Sequence, residues 1–365
     1  MTCVTASDIR KLGRIYSVIT VNIDSPRIVD VSVIIPTYGS RNTLPRTLDA
    51  LLRSRYPAEG FELIVVHDGQ QEAVSSQFDK AQEQGPLPAL VHLSQDHKGA
   101  AAARNLGAKH ARGELLIFID DDMIVGPDFI EQIVTDWRSH GNCLINGAWQ
   151  FTPEVESTLQ NTPFGRYRIE LEEWIKGGIH KEHLENDFYR ASALTAADLA
   201  VPKSVFEKLG GFDEFFPMAG CEDQEFSCRA ADAGYPMFYD GTIHLYHNDH
   251  RMTLREFGLR HEQGAITAVY LAATRHELAT RPLITRNRKI QLSDPWLEVL
   301  KKSIKTALSS TAVLNTVDVV IEKLEPIVRH DRFLRHLFRL SLAIHIFRGV
   351  RKGETLLAKQ GKALP

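Results

Sequence analysis

Three adjacent carboxylates, Asp120, Asp121 and Asp122, follow a short run of apolar residues. Like charges repel, and a carboxylate that leaves water is costly unless a cation or a hydrogen-bond donor meets it. Mg²⁺ and Mn²⁺ take oxygen ligands of this kind, often one or two carboxylates together with substrate phosphates. The cluster is therefore a candidate metal site, with a solvated turn as the alternative. Alternation along an extended chain would direct Asp120 and Asp122 to one side and leave Asp121 a supporting or solvent-facing role.

Two further segments carry groups suited to a nucleotide. Asp68 ends the apolar run Val65-Val66-His67-Asp68-Gly69, where its carboxylate can accept hydrogen bonds from a base or a ribose, or simply form an Asp-Gly turn. The stretch 99–107 is predicted to open a helix toward phosphates, with Arg104 adding positive charge. It matches neither the dinucleotide-binding nor the P-loop fingerprint, so those two classes of site are not indicated.

Candidates for proton transfer lie later in the chain. Glu222 and Asp223 fall at a predicted helix start, where acidic residues also have a purely structural role. The functional interpretation is a general base that deprotonates a hydroxyl nucleophile. His247 is either an ordinary surface histidine or a ligand that completes the shell of a Mn²⁺-type ion.

These groups must be positioned by a regular framework. Short apolar runs alternate with helical patterns, which predicts βαβ units and a largely parallel sheet covered on both faces. In such sheets ligands bind outside the carboxyl ends of the strands, and both Asp68 and Asp120 follow such an end. We therefore expect them at one sheet edge. The predicted strands are 29–36, 61–66, 89–93 and 115–119, with a less regular strand at 193–201. A polar helix is predicted between the second and third of these strands, helix and loop over residues 154–190, and a further short strand at residues 237–239.

The joint order of the motifs over residues 29–250 resembles the family-2 inverting glycosyltransferases with the GT-A fold. That resemblance implies an α/β fold, with a Rossmann-like, mostly parallel central sheet and helices on both faces, here followed by a helical C-terminal region. The motifs that carry it are Val31-Ser-Val-Ile-Ile-Pro-Thr-Tyr38, Val65-Val-His-Asp-Gly69, Gly99-Ala-Ala-Ala-Ala-Arg-Asn-Leu-Gly107, Phe118-Ile-Asp-Asp-Asp122, Ala197-Asp-Leu-Ala-Val-Pro-Lys203, Gly210-Gly-Phe-Asp213 and Glu222-Asp223.

The resemblance also implies roles on the donor side. Asp68 looks like the contact to the nucleotide base or ribose, with the turn at Pro36 and Thr37 as its neighbour. Asp120 and Asp122 match an Asp-x-Asp metal motif, which implies Mn²⁺ or Mg²⁺ as the cofactor. The donor-binding set predicted in this way is Pro36, Thr37, Asp68, Arg104, Asp120 and Asp121, and the metal ligands are Asp120, Asp122 and His247.

On the acceptor side, Asp223 matches the family's catalytic base, with Glu222 beside it. His247 lies where several relatives place a histidine near the metal or the diphosphate. His67 departs from the pattern, because the family usually has Asp there. The Gln-x-x-Arg-Trp signature of processive synthases is also absent, so one sugar per encounter is expected.

The predicted activity is metal-dependent, inverting transfer of one sugar from a nucleotide-sugar donor, with a UDP-sugar favoured. The hydroxyl acceptor would be a lipid-linked or cell-surface glycan or a small molecule, and nucleic acid is not expected as a partner. Two alternatives use part of the same residues: a metal-dependent nucleotidyltransferase acting on sugar phosphates, and a non-catalytic nucleotide-sugar-binding protein.

Charge separates the chain into an acidic body and a basic tail. The whole chain has a net charge of −3, yet residues 281–365 hold 17 Lys/Arg and 7 Asp/Glu. A basic tail indicates an anionic surface as partner. An apolar stripe of Phe333, Leu337, Leu340, Ile344 and Phe347 predicts either packing on the catalytic domain or a helix that lies on a membrane, and an oligomer is left open.

Four cysteines without paired metal-like spacing favour a reducing compartment. We expect a cytoplasmic location, at the inner face of the membrane if the tail binds lipid. The predicted organisation is an N-terminal extension (1–28), a catalytic domain (29–250, with halves 29–122 and 123–250) and a basic helical region (251–365).

Overall fold

The computed structural model describes residues 19–21, 29–39, 43–69, 87–177, 181–216, 218–328 and 331–364. The chain divides into two compact units. The first comprises residues 1–146 and 196–211, and the second comprises residues 147–195 and 212–365. The predicted domain boundaries at residues 28, 122 and 250 differ from the limits of these two units, and they stay predictions.

The strands and helices are numbered in chain order. The strands are β1 (Ile19–Val21), β2 (Val31–Thr37), β3 (Phe61–Asp68), β4 (Ala89–Gln95), β5 (Leu115–Phe118), β6 (Met123–Val125), β7 (Leu144–Phe151), β8 (Lys181–Glu185), β9 (Phe188–Ala191), β10 (Ala200–Pro202) and β11 (Met237–His247). The helices are α1 (Leu44–Leu52), α2 (Ala100–His110), α3 (Phe129–His140), α4 (Pro153–Gln160), α5 (Pro163–Gly177), α6 (Lys203–Leu209), α7 (Glu222–Asp232), α8 (Leu254–Thr274), α9 (Pro282–Thr285), α10 (Trp296–Leu308), α11 (Thr311–Leu324) and α12 (Asp331–Lys359).

The first unit is built on a mixed sheet with the strand order β1-β4-β3-β2-β5-β10. Its central strands β4, β3, β2 and β5 run parallel, whereas β1 and β10 pair antiparallel at the two sides. The chain enters the parallel set at β2 and places β3 and β4 on one side and β5 on the other. The order therefore reverses at β2, and the carboxyl ends of β2 and β5 flank the crevice where such sheets bind ligands.

Burial explains why the strands of this sheet read as continuous apolar runs. All seven residues of β2 and all eight of β3 are buried, as expected for parallel strands covered on both faces. Helix α2 lies close against this layer, because a Cβ added at Gly107 would collide with the side chain of Ile34. Glycine at this position thus permits the close approach of α2 to β2.

The second unit combines the strands β11, β9 and β8, which pair antiparallel in this order, with the C-terminal helices. Most of β7, which lies next to β11 in the sheet, also belongs to this unit. The hairpin of β8 and β9 turns through Asn186 and Asp187, which both adopt positive φ. Helix and loop were predicted for residues 154–190, and this is wrong for the hairpin. Its residues are mostly exposed and charged, so they lack the apolar alternation that reveals a half-buried strand.

Other differences concern element ends. The strand predicted at 193–201 exists only as β10, and β11 runs to His247 rather than ending near Tyr239. The four parallel strands are confirmed, each to within three residues of its predicted end. The polar helix predicted between β3 and β4 falls on residues outside the described part of the chain.

Helices α8 and α12 form the core of the C-terminal region. They approach closely because glycines lie at their contact: a side chain at Gly349 would strike the backbone at Glu262, and one at Gly258 would strike His345. A cluster of aromatic and aliphatic residues from α5, α8, α11 and α12 closes one end of this packing. Its buried members are Phe164, Tyr167, Leu254, Phe257, Ile321, Leu334, Phe338 and Leu342.

The stripe predicted on α12 is partly wrong. Phe333 and Leu340 are 53% and 43% exposed, whereas Ile344 and Phe347 are buried as core residues. The buried face of α12 instead begins with Leu334 and continues through Phe338 and Leu342. Because this face packs on helices α5, α8 and α11, it is the core of the second unit and not a free apolar surface.

A polar cluster is buried inside these helices. His345 of α12 is fully buried, and its Nε2 lies 3.0 Å from Asp318 Oδ2 of α11 while its Nδ1 lies 3.4 Å from Glu262 Oε2 of α8. Ser341 Oγ donates to Asp318 at 2.6 Å, and Lys352 Nζ donates to Glu262 at 2.5 Å. Burial alone would lower the pKa of His345, but its bonds to the two carboxylates outweigh this and raise it.

This cluster predicts a pH-dependent stability. A histidine whose pKa is raised in the folded state stabilises that state fully below its unfolded pKa, about 6.5, and loses this contribution as pH rises through the folded value. Glu262 stays ionised throughout, because its pKa is lowered to about 2: burial acts to raise it, but His345, Lys352 and Arg348 outweigh burial. We expect the unfolding free energy of His345→Gln to lie furthest below that of the wild type at low pH.

Urea denaturation at a series of pH values above 6 measures this difference. His336→Gln, on the exposed face of the same helix, is the matched control and should follow the wild type at every pH. A constant gap between the wild type and His345→Gln across the series would show that the pKa of His345 is the same in the folded and the unfolded protein.

Candidate functional site

The three adjacent aspartates lie in a tight turn, not on an extended strand. β5 ends at Phe118, and the amide of Met123 donates to the carbonyl of Asp120 at 3.1 Å, which closes a turn with Asp121 and Asp122 at its centre. The expected alternation of side chains therefore does not apply here, because it requires extended backbone. The turn lies at the carboxyl edge of the sheet, as predicted, and follows the strand next to β2.

Asp121 holds this turn to the neighbouring elements. Its Oδ2 accepts a hydrogen bond of 2.6 Å from the hydroxyl of Thr37 at the end of β2, and its carbonyl accepts one of 2.9 Å from Thr47 in α1. The side chain is buried. Of the two roles predicted for Asp121, supporting or solvent-facing, its burial excludes the second, and its contact with a donor stays a prediction. Thr37, predicted near the nucleotide, uses its hydroxyl on this carboxylate.

Arg104 reaches the same turn from α2. Its guanidinium donates to Asp120 Oδ1 at 2.6 Å and is only 4% exposed, whereas the Asp120 side chain remains 37% exposed. A buried arginine in this geometry neutralises and orients a carboxylate. Contact between Arg104 and a phosphate stays a prediction, and the observed bond makes Arg104 a positioning residue for Asp120.

The donor set at this turn suits a hard divalent cation. Asp120 and Asp122 offer carboxylate oxygens, and Asp122 is largely buried. Within the described residues no group of three or more His, Cys, Asp or Glu side chains has metal-site geometry. Mg²⁺ and Mn²⁺ commonly take only one or two protein carboxylates and complete their shell with phosphate oxygens and water. Two acidic oxygens at an open edge therefore fit such an ion.

Asp68 is also at this edge, but its carboxylate is fully engaged. Oδ1 accepts from Gln95 Nε2 at 2.9 Å and from the amide of Lys98 at 2.7 Å. Oδ2 accepts from the amide of Gly99 at 2.8 Å and lies 2.9 Å from His97 Nδ1, which must be the donor because an ionised carboxylate can only accept. These four bonds use about all the acceptor sites of one carboxylate.

Asp68 therefore fixes the loop that starts α2. Gly99, the residue before α2, adopts a φ of +95°, a conformation natural to glycine. A contact from Asp68 to a base or ribose stays a prediction, and it would require one protein donor to be replaced. His97 is the replaceable one, because its side chain is 57% exposed.

Two residues that the sequence analysis did not single out complete this edge. Tyr38, directly after β2, stacks on His97 with ring centroids 4.3 Å apart, and Tyr38 is 53% exposed. The sequence signal for Tyr38 is its position directly after Pro36 and Thr37, which are predicted to lie near the nucleotide. The pairing of β2 with β5 ends at Ile34, so Pro36 lies where β2 pairs only with β3. Proline has no backbone N–H, and at this position its absence costs no hydrogen bond to β5.

His67 lies next to Asp68 but points into the sheet layer. It is 2% exposed and stacks on His92 of β4 at 5.9 Å between ring centroids. Burial, together with the neighbouring His92, lowers the pKa of His67 to about 4, so it is neutral at pH 7. The departure from the family's usual Asp thus removes a charge from the interior of this sheet.

Glu222 and Asp223 begin α7 in the second unit. The preceding Cys221 has a φ of +64°, which turns the chain sharply into the helix. Glu222 is buried, and its Oε2 accepts from the amide of Gly220. Asp223 is only partly buried, and its Oδ1 accepts from the amide of Gln224 at 2.8 Å. Glu222 therefore shapes the turn, while Asp223 stays partly exposed.

His247 ends β11 in an aromatic setting. Its ring lies edge-on to Trp149 at 5.1 Å and stacks with Phe151 at 6.3 Å between centroids. Nearby, the fully buried Arg168 donates to Asp249 Oδ2 at 2.6 Å. Burial acts to raise the pKa of Asp249, but Arg251 and Arg168 outweigh it and bring the pKa down to about 2.

The predicted site residues thus form two sets. The first unit brings together Pro36, Thr37, Asp68, Arg104, Asp120, Asp121 and Asp122, and the second unit holds Glu222, Asp223 and His247. The assignment of one catalytic site to both sets stays a prediction.

The environment of Asp68 generates a stability prediction. In Asp68→Asn an amide NH₂ would face two of the present donors, so we expect the unfolding free energy to fall by about 2–3 kcal/mol, the cost of unsatisfied buried groups. Chemical denaturation measures the loss, and Asp96→Asn, an exposed position in the following loop, should leave stability unchanged. Equal stability of the two variants would contradict the structural role given to Asp68.

Comparison with known proteins agrees with this architecture. The family model described as Glycosyl transferase family 2 matches residues 32–209. The chain is 28% identical over 212 residues to glycosyltransferase AglE of Haloferax volcanii, a match that covers 57% of this chain and 64% of that protein. It is 28% identical over 228 residues to validoxylamine A glucosyltransferase of Streptomyces hygroscopicus, covering 57% and 52%. The chain thus spans between half and two thirds of the length of these curated relatives.

Among solved structures, the chain is similar to a mannosyltransferase from Pyrobaculum calidifontis in complex with GDP-Man and Mn²⁺. The TM-score is 0.52 at 17% sequence identity, and the match covers 93% of this chain and 92% of that one. This likeness concerns the fold, which is the GT-A fold with a helical C-terminal region. The match over residues 32–209 identifies this part of the chain as glycosyl transferase family 2.

Proposed function

We propose that the chain is a metal-dependent, inverting glycosyltransferase that moves one sugar from a nucleotide-sugar donor to a hydroxyl acceptor. The observation that carries this proposal is the turn at Asp120, Asp121 and Asp122. Arg104 holds the carboxylate of Asp120 and Thr37 holds that of Asp121, so the turn that carries Asp120 and Asp122 is fixed at the carboxyl edge of the sheet, beside the point where the strand order reverses. A fixed turn with carboxylates at this edge suits a metal–diphosphate group.

Asp120 and Asp122 would hold Mn²⁺ or Mg²⁺, with His247 a further predicted ligand. Such an ion, when bound, neutralises charge on the departing nucleoside diphosphate. Arg104 keeps Asp120 oriented, and the loop fixed by Asp68 sets the start of α2. Tyr38 and His97 offer an exposed ring pair beside Asp68. These contacts support a donor site built from the first unit.

Asp223 is the proposed general base. It would take the proton of the acceptor hydroxyl as the oxygen attacks the anomeric carbon from the face opposite the leaving group, which inverts that carbon. Partial exposure supports this assignment, since a base must reach an incoming acceptor. Glu222 is buried on the amide of Gly220, so its proposed part is to position Asp223.

Asp223→Asn tests the base. The amide cannot accept the proton, so we expect the transfer rate to fall by about 10²–10⁴-fold, while the Kd for the donor changes little. Asp232→Asn, at the other end of α7, is the matched control and should transfer at the wild-type rate. Product release is measured as nucleoside diphosphate, and donor binding by calorimetry. Wild-type transfer by Asp223→Asn would remove Asp223 from the mechanism.

Metal dependence is tested on binding. With EDTA, or in Asp122→Asn, we expect donor affinity to fall by at least about tenfold, since the diphosphate loses its counter-charge; added Mn²⁺ should restore only the EDTA-treated wild type. Asp49→Asn, exposed on α1, should bind the donor as the wild type does. Donor binding that ignores the chelator would refute the metal assignment.

The identity of the nucleotide base in the sugar donor is the most specific part of the proposal. A UDP-sugar is proposed from the sequence resemblance, and GDP-mannose is the necessary comparison because the Pyrobaculum calidifontis neighbour was solved with GDP-Man. For the acceptor, a lipid-linked or surface glycan is proposed, with a small hydroxyl compound as the comparison, since one relative is named for transfer to validoxylamine A. A panel of nucleotide sugars assayed by thermal shift with Mn²⁺ discriminates among the possible donors.

The two alternatives predict different products. A nucleotidyltransferase would release pyrophosphate from a nucleoside triphosphate, and a non-catalytic binding protein would release nothing. Release of nucleoside diphosphate from a nucleotide sugar supports the proposal over both. A location at the inner face of a membrane also stays a proposal. The exposed apolar side chains of α10 and α11 are the structural feature relevant to it.

A further inference from the structure

Exposed apolar side chains are concentrated in one part of the second unit. Of the eighteen large hydrophobic residues exposed in the described chain, thirteen lie between Leu283 and Leu340. Single exposed hydrophobic residues are ordinary, but a concentration of them marks an interaction surface.

Helix α10 is the clearest case, because it is oriented with its apolar face outward. Trp296, Leu297, Leu300 and Ile304 are 77%, 46%, 49% and 49% exposed. Residues 296, 300 and 304 are spaced by four, so they share one face of the helix. The one α10 side chain that is buried is Lys302, whose amine donates to Asp294 at 2.7 Å.

Helix α11 extends this surface. Leu314, Asp318 and Ile321 face inward, whereas Val313, Val319 and Val320 are 38–48% exposed. The two helices meet at an angle of 90°. No single helix among the described residues is long and apolar enough to cross a membrane, but α10 and α11 taken together meet the length and composition.

The charge around this surface is positive. Residues 281–305 hold seven Lys/Arg against two Asp/Glu. Arg281, Arg286 and Lys289 are exposed in the segment that precedes α10, and Lys301 is exposed on α10 itself. An outward apolar face bearing tryptophan, bordered by basic residues, is the arrangement by which helices bind at the boundary of headgroups and acyl chains in anionic membranes.

We propose that α10, with the preceding basic segment 281–295 and the start of α11, docks on an anionic membrane surface. Trp296, Leu297, Leu300 and Ile304 enter the headgroup boundary, and the basic side chains contact anionic headgroups. A second copy of the chain fits less well, because a twofold interface would place this positive patch against itself. The proposal rests on the second unit alone and is independent of the donor and of the catalytic residues.

Vesicle flotation with the full chain tests the proposal. We expect flotation with vesicles of equal parts phosphatidylcholine and phosphatidylglycerol, weak flotation with phosphatidylcholine alone, and release by high salt. Trp296→Gln/Leu300→Gln should lower the partition coefficient by at least tenfold, and Arg286→Gln/Lys289→Gln by about tenfold or more on the anionic vesicles. Trp174→Gln, which removes an exposed tryptophan elsewhere, should bind as the wild type does.

Three outcomes would overturn the proposal. The first is equal flotation of the wild type and Trp296→Gln/Leu300→Gln. The second is a lipid-free dimer in sedimentation velocity that this double variant abolishes, which would assign the surface to a second copy. The third is resistance to both salt and alkaline extraction, which would indicate insertion. Donor turnover is measured on each variant: unchanged turnover shows that the variants fold, and it separates failure of docking from failure of the proposed transferase activity.

Discussion

Repulsion among three adjacent carboxylates is the constraint around which the first unit is arranged. Each must find a donor or a cation if the turn after β5 is to persist. Arg104 meets Asp120, and the hydroxyl of Thr37 meets Asp121. These two bonds come from α2 and from the end of β2, so the turn, the helix and the strand are held as one assembly. Asp68, at the end of β3, also joins separate elements, because its four hydrogen bonds hold the loop that begins α2.

The sequence predicted the parallel strands and the edge at which the acidic residues lie, because continuous burial leaves a continuous apolar run. It could not predict how each carboxylate is used. The role of Asp121 depends on Thr37, eighty-four positions away, and that of Asp68 on the path of the chain between residues 95 and 99. The β8–β9 hairpin was missed for a different reason: its mostly exposed residues carry no apolar period.

Helix α12 shows another limit of prediction from sequence, because its sequence contains more than one possible apolar stripe. A stripe through Phe333 and Leu340 satisfies helical periodicity as well as one through Leu334 and Phe338, and only packing separates them. The choice follows from the polar groups that α12 must also bury. His345 meets Glu262 and Asp318, and Ser341 meets Asp318. These contacts fix the rotation of α12, because turning the helix would leave buried carboxylates without partners.

Polar contacts also keep the apolar face of α10 outward. Rolling this helix inward would cover Trp296, Leu300 and Ile304, each worth roughly 1.5–3 kcal/mol when fully buried. It would also break the ion pair of the buried Lys302 with the partly exposed Asp294 and the bond from Lys305 to Asn287. These two contacts oppose the rolling. An apolar face kept outward in this way is stabilised further only by a surface that covers it, and the basic border selects an anionic one.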